Sequence, residues 1–236
     1  MPKITVADVT YALRHPALAG RYFLRRDRID YATCSRYLPD APVIIEAGAF
    51  DGTNSREFCR YWSNCQVYAF EPVPAAFERL SEVASEFPGR IHPANLALGN
   101  RSMDAEMHVS GNSTGGGEQS SSLLAPAATL KEFPSVEFLE KKTPVRVTRL
   151  DEWAEIAGVK RVDFLWLDLQ GMELAALQGC GKLLEGVSAI HCEVQHLPLY
   201  GGAPLYEELA EWLRGKNFRP ACKAVFRRGG NVLFTK

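Results

Sequence analysis

The stretch VIIEAGAFDG (residues 43–52) is followed by QVYAFEP at residues 66–72. Val43, Ile44 and Ile45 form a short apolar, β-branched run, the pattern of a strand buried in a parallel sheet. Glu46 to Gly52 reads as the turn leaving that strand. Gly48 and Gly52 allow close backbone approach to a bound molecule, and the helix that follows begins with N–H groups lacking intrahelical partners. A second strand, residues 67–70, ends at Glu71, where an acid can accept both hydroxyls of a ribose.

The glycine spacing separates two kinds of nucleotide site. A dinucleotide fingerprint requires G-x-G-x-x-G with a pyrophosphate at the helix N-terminus. Here the pattern is Glu46-x-Gly48-x-x-x-Gly52, with acids at Glu46 and Asp51. Two carboxylates repel a pyrophosphate but suit a ligand carrying a cationic amino group, such as S-adenosylmethionine. The turn resembles motif I of the Rossmann-like methyltransferases, and Glu71 resembles their ribose-binding acid.

The chain of 236 residues suits one α/β domain with a substantial core. Its 27 basic and 28 acidic side chains give no bulk attraction to nucleic acid or an anionic membrane. Cysteines 34, 59, 65, 180, 192 and 222 lack metal-ligand spacing and the density of a secreted disulfide scaffold. They read as reduced thiols in a cytoplasmic protein. No secretory leader pattern opens the sequence and no apolar run is long enough to span a bilayer, so neither a membrane nor nucleic acid is expected as partner.

Residues 1–40 are expected to form a helical cover, with an amphipathic helix over 16–29 and a short one over 30–38. The arginines at 25, 26 and 28 read as a solvated face. Residues 41–236 form the main domain, with crossover helices over 54–62 and 74–87 and a third strand with its exit over 90–98. Asn95 can bond near an adenine or cap its own turn. Residues 105–109 and 145–148 read as a further strand pair. Residues 110–142, opening SGNSTGGGEQSSSLLAP, exceed an ordinary connection and read as a substrate lid or a flexible insertion. No Lys-Ser or Lys-Thr follows these glycines, so they do not form a phosphate loop.

Residues 162–179, VDFLWLDLQGMELAALQG, place Asp168 at the end of a buried strand, ahead of a helix over 172–184 that contains Glu173. A strand over 187–194 carries His191, read as a buried side chain, and ends in Glu193, followed by Gln195 and His196. A last helix over 204–213 precedes an antiparallel hairpin, residues 219–226 and 231–235, turning at Gly229-Gly230. Tyr200 belongs to a loop that either packs or forms a substrate wall.

Taken in order, Glu46 to Gly52, Glu71-Pro72, Asn95-Leu96-Ala97-Leu98-Gly99, Asp168-Leu169-Gln170-Gly171-Met172-Glu173 and Glu193-Val194 resemble the FkbM-like methyltransferases over roughly residues 43–218. Many members carry Lys two residues before the Asp; this chain has Trp166 there, so no role passes to that position. The resemblance implies a Rossmann-like class I methyltransferase sheet, mostly parallel, flanked by helices. It implies S-adenosylmethionine bound by Glu46, Gly48, Ala49, Phe50, Asp51, Gly52, Glu71, Pro72, Asn95, Leu96 and Asp168. The implied reaction is methylation of a hydroxyl on a small metabolite, sugar or polyketide-like acceptor.

A neutral hydroxyl is a weak nucleophile, so a base must receive its proton as the new bond forms. Glu193 is the expected acceptor and Asp168 the positioning acid, with His196 the imidazole nearby. No metal site is expected, although Mg²⁺ between Asp168 and Glu193 is a less favoured alternative. N-methylation, a macromolecular acceptor and cofactor binding without turnover are the other functional readings. The sequence is compatible with a homo-oligomer.

Overall fold

The computed structural model describes residues 29–111, 117–225 and 228–236. Most of the helix expected over 16–29, with the arginines at 25, 26 and 28, lies outside the described residues. The next helix is shorter than expected: α1 spans Tyr31–Ser35, and the Asp30 side chain caps it by accepting from the Thr33 N–H at 2.7 Å.

The element order alternates strand and helix, as the buried apolar runs require. The first half comprises β1 (Val43–Ala47), α2 (Thr53–Tyr61), β2 (Gln66–Phe70), α3 (Pro74–Ser85) and β3 (Ile91–Ala94). It continues with β4 (Ala97–Leu98), β5 (Met103–Met107), α4 (Thr129–Glu132), β6 (Thr143–Thr148) and α5 (Leu150–Ala157). The second half comprises β7 (Phe164–Leu167), α6 (Glu173–Gln178), β8 (Ala189–Gln195), α7 (Tyr206–Arg214), β9 (Arg219–Val225) and β10 (Gly229–Thr235).

Seven strands form one sheet in the order β3-β2-β1-β7-β8-β10-β9. The β3-β2-β1-β7-β8 part is parallel, and β10 returns antiparallel between β8 and β9. The mostly parallel α/β sheet with a C-terminal antiparallel hairpin is therefore the observed fold. Consecutive residues of its central strands feed opposite faces: Ile45, Leu165 and Ile190 pack into one core, and Ile44, Phe164 and Ala189 into the other. All six are fully buried, which is why these strands read as unbroken apolar runs. Tyr31 extends the second core, its ring lying 5.3 Å from that of Phe58 and 5.9 Å from that of Trp166.

Three expected boundaries change. Residues 90–98 are not one strand: β3 pairs with β2, and β4 leaves the main sheet to pair with β6, which pairs on its other edge with β5. Asn95 and Leu96 form the break. The helix over 172–184 divides into α6 and a 3₁₀ turn, Gly181–Glu185, after Gly179; a Cβ on Gly179 would lie 2.1 Å from the Gly99 carbonyl oxygen. Gly229 and Gly230 do not make the hairpin turn. They begin β10 opposite Gln195 and Val194, where a Cβ would strike the Val194 and Ala224 carbonyls. Among the described residues no helix is long and apolar enough to cross a membrane.

Candidate active site

The carboxyl ends of β1, β2 and β7 open into a cleft of about 300 Å³. Two tight approaches create it. Gly48 has φ +80°, and a Cβ there would lie 2.0 Å from the Asp168 carbonyl oxygen, so the exits of β1 and β7 can touch only through glycine. Gly52, at φ +77°, precedes α2, and its missing side chain admits Leu80 and Val83 of α3. Both glycines thus serve chain-to-chain approach; Gly48 lines the cleft and Gly52 does not.

Glu71 forms one end of the cleft. Its Oε2 accepts the Phe50 N–H at 2.9 Å and its Oε1 the Val73 N–H at 2.8 Å. One donor on each oxygen fixes the carboxyl plane and leaves lone-pair capacity on both atoms. Phe50 holds φ +53°, which turns its N–H toward Glu71. Burial pushes the Glu71 carboxyl up to about 7, against the two N–H groups and the Arg79 charge, which act in the opposite direction. Asn95 secures the same turn from outside: its Nδ2 donates to the Glu71 carbonyl at 2.8 Å and the Pro72 carbonyl at 3.1 Å. Its amide nitrogen therefore holds the distant Glu71–Pro72 turn rather than capping its own.

Asp168 and Gln170 form the other end. The turn carrying them is built on Glu173, which is 3% exposed and accepts the Leu169 N–H at 2.8 Å and the Gly171 N–H at 3.0 Å. Burial pushes Glu173 up to about 7 despite these bonds. Gln170 takes φ +51°, unusual for a residue with a Cβ, and its backbone carbonyl accepts from Ser122 Oγ at 2.8 Å. So held, its side-chain Nε2 donates to Asp168 Oδ1 at 2.7 Å and to Glu193 Oε2 at 2.8 Å. The Asp168 carboxyl thus adjoins that of Glu193 across one shared donor. Burial, then the Asp168 and Glu173 charges, hold Glu193 well above the usual carboxylate range. Proximity thus disfavours ionisation of both acids at once. Tyr200 completes the cluster, with its hydroxyl 2.8 Å from Gln170 Oε1 and 2.9 Å from the Ser120 carbonyl.

The structure brings Gly48, Ala49, Phe50, Asp51, Glu71, Pro72, Leu96 and Asp168 to the cleft wall. Asp51 also accepts the Thr53 N–H at 3.0 Å, starting α2. Glu46 lies behind the wall, fully buried and bonded by the Ser55 hydroxyl, its Oε1 without a hydrogen-bond partner. Burial pushes Glu46 up to about 8. His196 is not brought into the cluster; its ring packs edge-on to Tyr206 at 5.4 Å. His191 is buried within β8 and stacks on Trp166, ring centroids 3.5 Å apart. Among the described residues no group of three or more His, Cys, Asp or Glu side chains is placed to hold a metal ion, so the Mg²⁺ alternative is not supported.

Gln170 gives no site signal in the sequence because the placement of its side chain depends on a left-handed backbone and on Ser122, which is distant in sequence. Leu98, Met107, Leu123, Glu118 and Ser121 also line the cleft. The last three come from the segment over 110–142, whose weak periodicity gave no direction to its side chains. Glu118 is anchored by Arg79 at 3.0 Å.

Residues 46–220 match the Methyltransferase FkbM domain. The 2-O-methyltransferase NoeI of Sinorhizobium fredii is 30% identical over 190 residues, 75% of this chain and 76% of that protein. The hexuronic acid methyltransferase AglP of Haloferax volcanii is 25% identical over 152 residues, covering 64% of this chain and only 55% of that protein. Among solved structures, Aeropyrum pernix fibrillarin in complex with S-adenosyl-L-methionine matches with a TM-score of 0.49 and 13% identity over 89% of this chain and 76% of that chain. The match to the FkbM domain runs from the strand before the glycine turn to the start of the terminal hairpin and takes in Glu71, Asp168, Gln170 and Glu193. This chain belongs to the FkbM methyltransferase family.

Proposed function

We propose that the protein moves a methyl group from S-adenosylmethionine to a hydroxyl oxygen of a small metabolite or sugar. The observation that carries this reading is the Asp168–Glu193 carboxyl pair, bridged by Gln170, at the end of the cleft opposite Glu71. A hydroxyl nucleophile needs a proton acceptor, and an N-methyl acceptor that is already a free base does not.

The donor set fits the cofactor. Glu71, with one backbone N–H on each oxygen, has lone pairs left for the two ribose hydroxyls; the turn from Gly48 to Asp51 would hold the amino-acid part, and Leu96, Leu98 and Met107 offer apolar surface to a base. S-adenosylmethionine supplies, when bound, an electrophilic methyl group on a cationic sulfur. Asp168 is the solvent-facing acid and Glu193 the deeper one. A cation near them favours the ionised pair, which then receives the acceptor proton, with Glu193 the more basic member and Asp168 positioning. The segment over 110–142 we read as a lid or wall, because it supplies Glu118, Ser121 and Leu123 to the cleft. A cytoplasmic setting is supported by the six cysteines, all of them free.

Calorimetry with S-adenosylhomocysteine, joined to transfer of a labelled methyl group to a panel of hydroxyl and amine acceptors, tests the proposal. Binding with label appearing in hydroxyl acceptors is expected. Label appearing only in amines, or no binding at all, would overturn it.

A further inference from the structure

Beyond Glu193 lies a second hollow, of about 410 Å³, lined by Phe133, Glu193, Gln195, Leu199, Arg228 and Gly229 among others. It does not share a lining residue with the Glu71 cleft, yet the two are joined by chemistry. Asp168 lines the first and Glu193 the second, and Gln170 donates to both carboxyls at 2.7 and 2.8 Å. The carboxyl pair is thus the partition between the two spaces.

The hollow is assembled rather than incidental. Leu199 accepts the Ala127 N–H at 2.8 Å and the Thr129 hydroxyl at 2.5 Å, and Gly201 donates to the Ala125 carbonyl at 2.8 Å. These bonds set α4, and with it Phe133, across from the end of β8. On the opposite side the β10 start is glycine at 229 and 230, so no side chain fills the floor.

We infer that this hollow is the acceptor subsite and that it takes an uncharged, polyhydroxylated ring, a neutral sugar rather than a sugar acid. The inference rests on the methyl-transfer reading above and adds the seat and class of the acceptor. Charge sets the first condition. The Arg228 guanidinium is paired through Nε with Glu132 at 2.7 Å, with its carbon atom 4.8 Å from the centre of the Phe133 ring, so its positive charge is balanced by a carboxylate of the protein itself. The two adjoining carboxyls of Asp168 and Glu193 carry net negative charge even when they share one proton, and that charge repels an anion. The walls set the second condition. Glu193 and Gln195 are planar hydrogen-bonding groups on one strand, whereas Phe133 and Leu199 present carbon. A pyranose has this two-sided chemistry, with hydroxyls at its rim and C–H groups on its faces; a flat aromatic phenol would be served by carbon on both sides. A rim hydroxyl directed at Glu193 lies at the acid pair, where its proton can be taken.

Saturation-transfer NMR on the full chain with S-adenosylhomocysteine present tests this. The probes are the methyl pyranosides of glucose, galactose, mannose and fucose, with methyl glucuronide and catechol as contrasts. At least one neutral pyranoside should give a signal about fivefold above glucuronide and catechol. Phe133→Ala, which removes the carbon wall, and Leu199→Trp, which fills the hollow, should each cut that signal about fivefold while cofactor affinity stays within about twofold. Undiminished signal in both folded variants would show that the ring sits elsewhere, and signals confined to glucuronide or catechol would refute the neutral-sugar class; in both cases methyl transfer itself would stand. Failure of S-adenosylhomocysteine to bind in calorimetry would instead remove the methyl-transfer reading and this subsite with it.

Discussion

The side-chain amide of Gln170 stands 2.8 Å from the carboxyl of Glu193 and is held in place from the far end by the Tyr200 hydroxyl, 2.8 Å from Gln170 Oε1. An amide in that position does what a second cation would otherwise have to do: it brings two like-charged groups together through its two N–H bonds. Gln170→Leu, close in size and without donors, should therefore lower kcat about ten- to a hundredfold and move the acidic limb of the pH–rate profile upward, while cofactor affinity changes little. Tyr200→Phe should give a milder version of the same shift. A profile unmoved in both variants would show that the bridge does not tune the pair.

Glu193→Gln retains shape and removes basicity. The single-turnover rate with an identified hydroxyl acceptor should fall about a hundredfold or more, with S-adenosylhomocysteine affinity near normal in calorimetry. A wild-type rate would eliminate Glu193 as the required base and leave Asp168 to the role.

Burial holds Glu71 at about 7, so its carboxylate form is the one lost as pH falls. If hydroxyls bind the carboxylate, cofactor affinity should be flat above neutrality and drop about tenfold per pH unit well below 7. Glu71→Gln should weaken binding about ten- to a hundredfold, because the new NH₂ group must face either the Phe50 or the Val73 N–H, and should flatten that pH dependence. Calorimetry at several pH values reads both effects.

Glu46, Glu71 and Glu173 all have carboxyls raised by burial, to about 8, 7 and 7. Between an ordinary carboxylate pKa and those values the folded chain binds more protons than the unfolded chain, so stability falls as pH rises through that window. The melting temperature of the cofactor-free protein should therefore decline from pH 5 toward pH 8. Glu46→Gln, which keeps an acceptor for Ser55 and cannot ionise, should flatten the decline and raise the melting temperature at pH 8.

The sheet was legible in the sequence because its central strands are buried on both faces: Ile44, Ile45, Phe164 and Leu165 leave no room for polar alternation. The acids at the sheet edge were legible for a related reason, since Glu71 and Asp168 interrupt apolar runs where the strands stop. What stayed hidden depends on contacts between distant residues. Asn95 sits beside the right turn, and only the folded chain shows its amide committed to Glu71 and Pro72. His196 follows Glu193 closely in sequence, but β8 continues through Gln195, and the imidazole ends beside Tyr206 instead of the acid pair. Gly48 and Gly52 look like ligand-facing glycines, yet the atoms that exclude a side chain there belong to Asp168, Leu80 and Val83.

The two ends of the reaction space are drawn from different economies of chain. Glu71, Asp168 and Glu193 belong to a sheet whose strands are paired on both sides, where an inserted residue would displace an entire register. α4 and the Phe133 that follows it are held instead by bonds to the loop at Leu199. Changes around residues 125–142 can accordingly reshape the hollow at Phe133 without shifting the register of the strands that carry Glu71, Asp168 and Glu193.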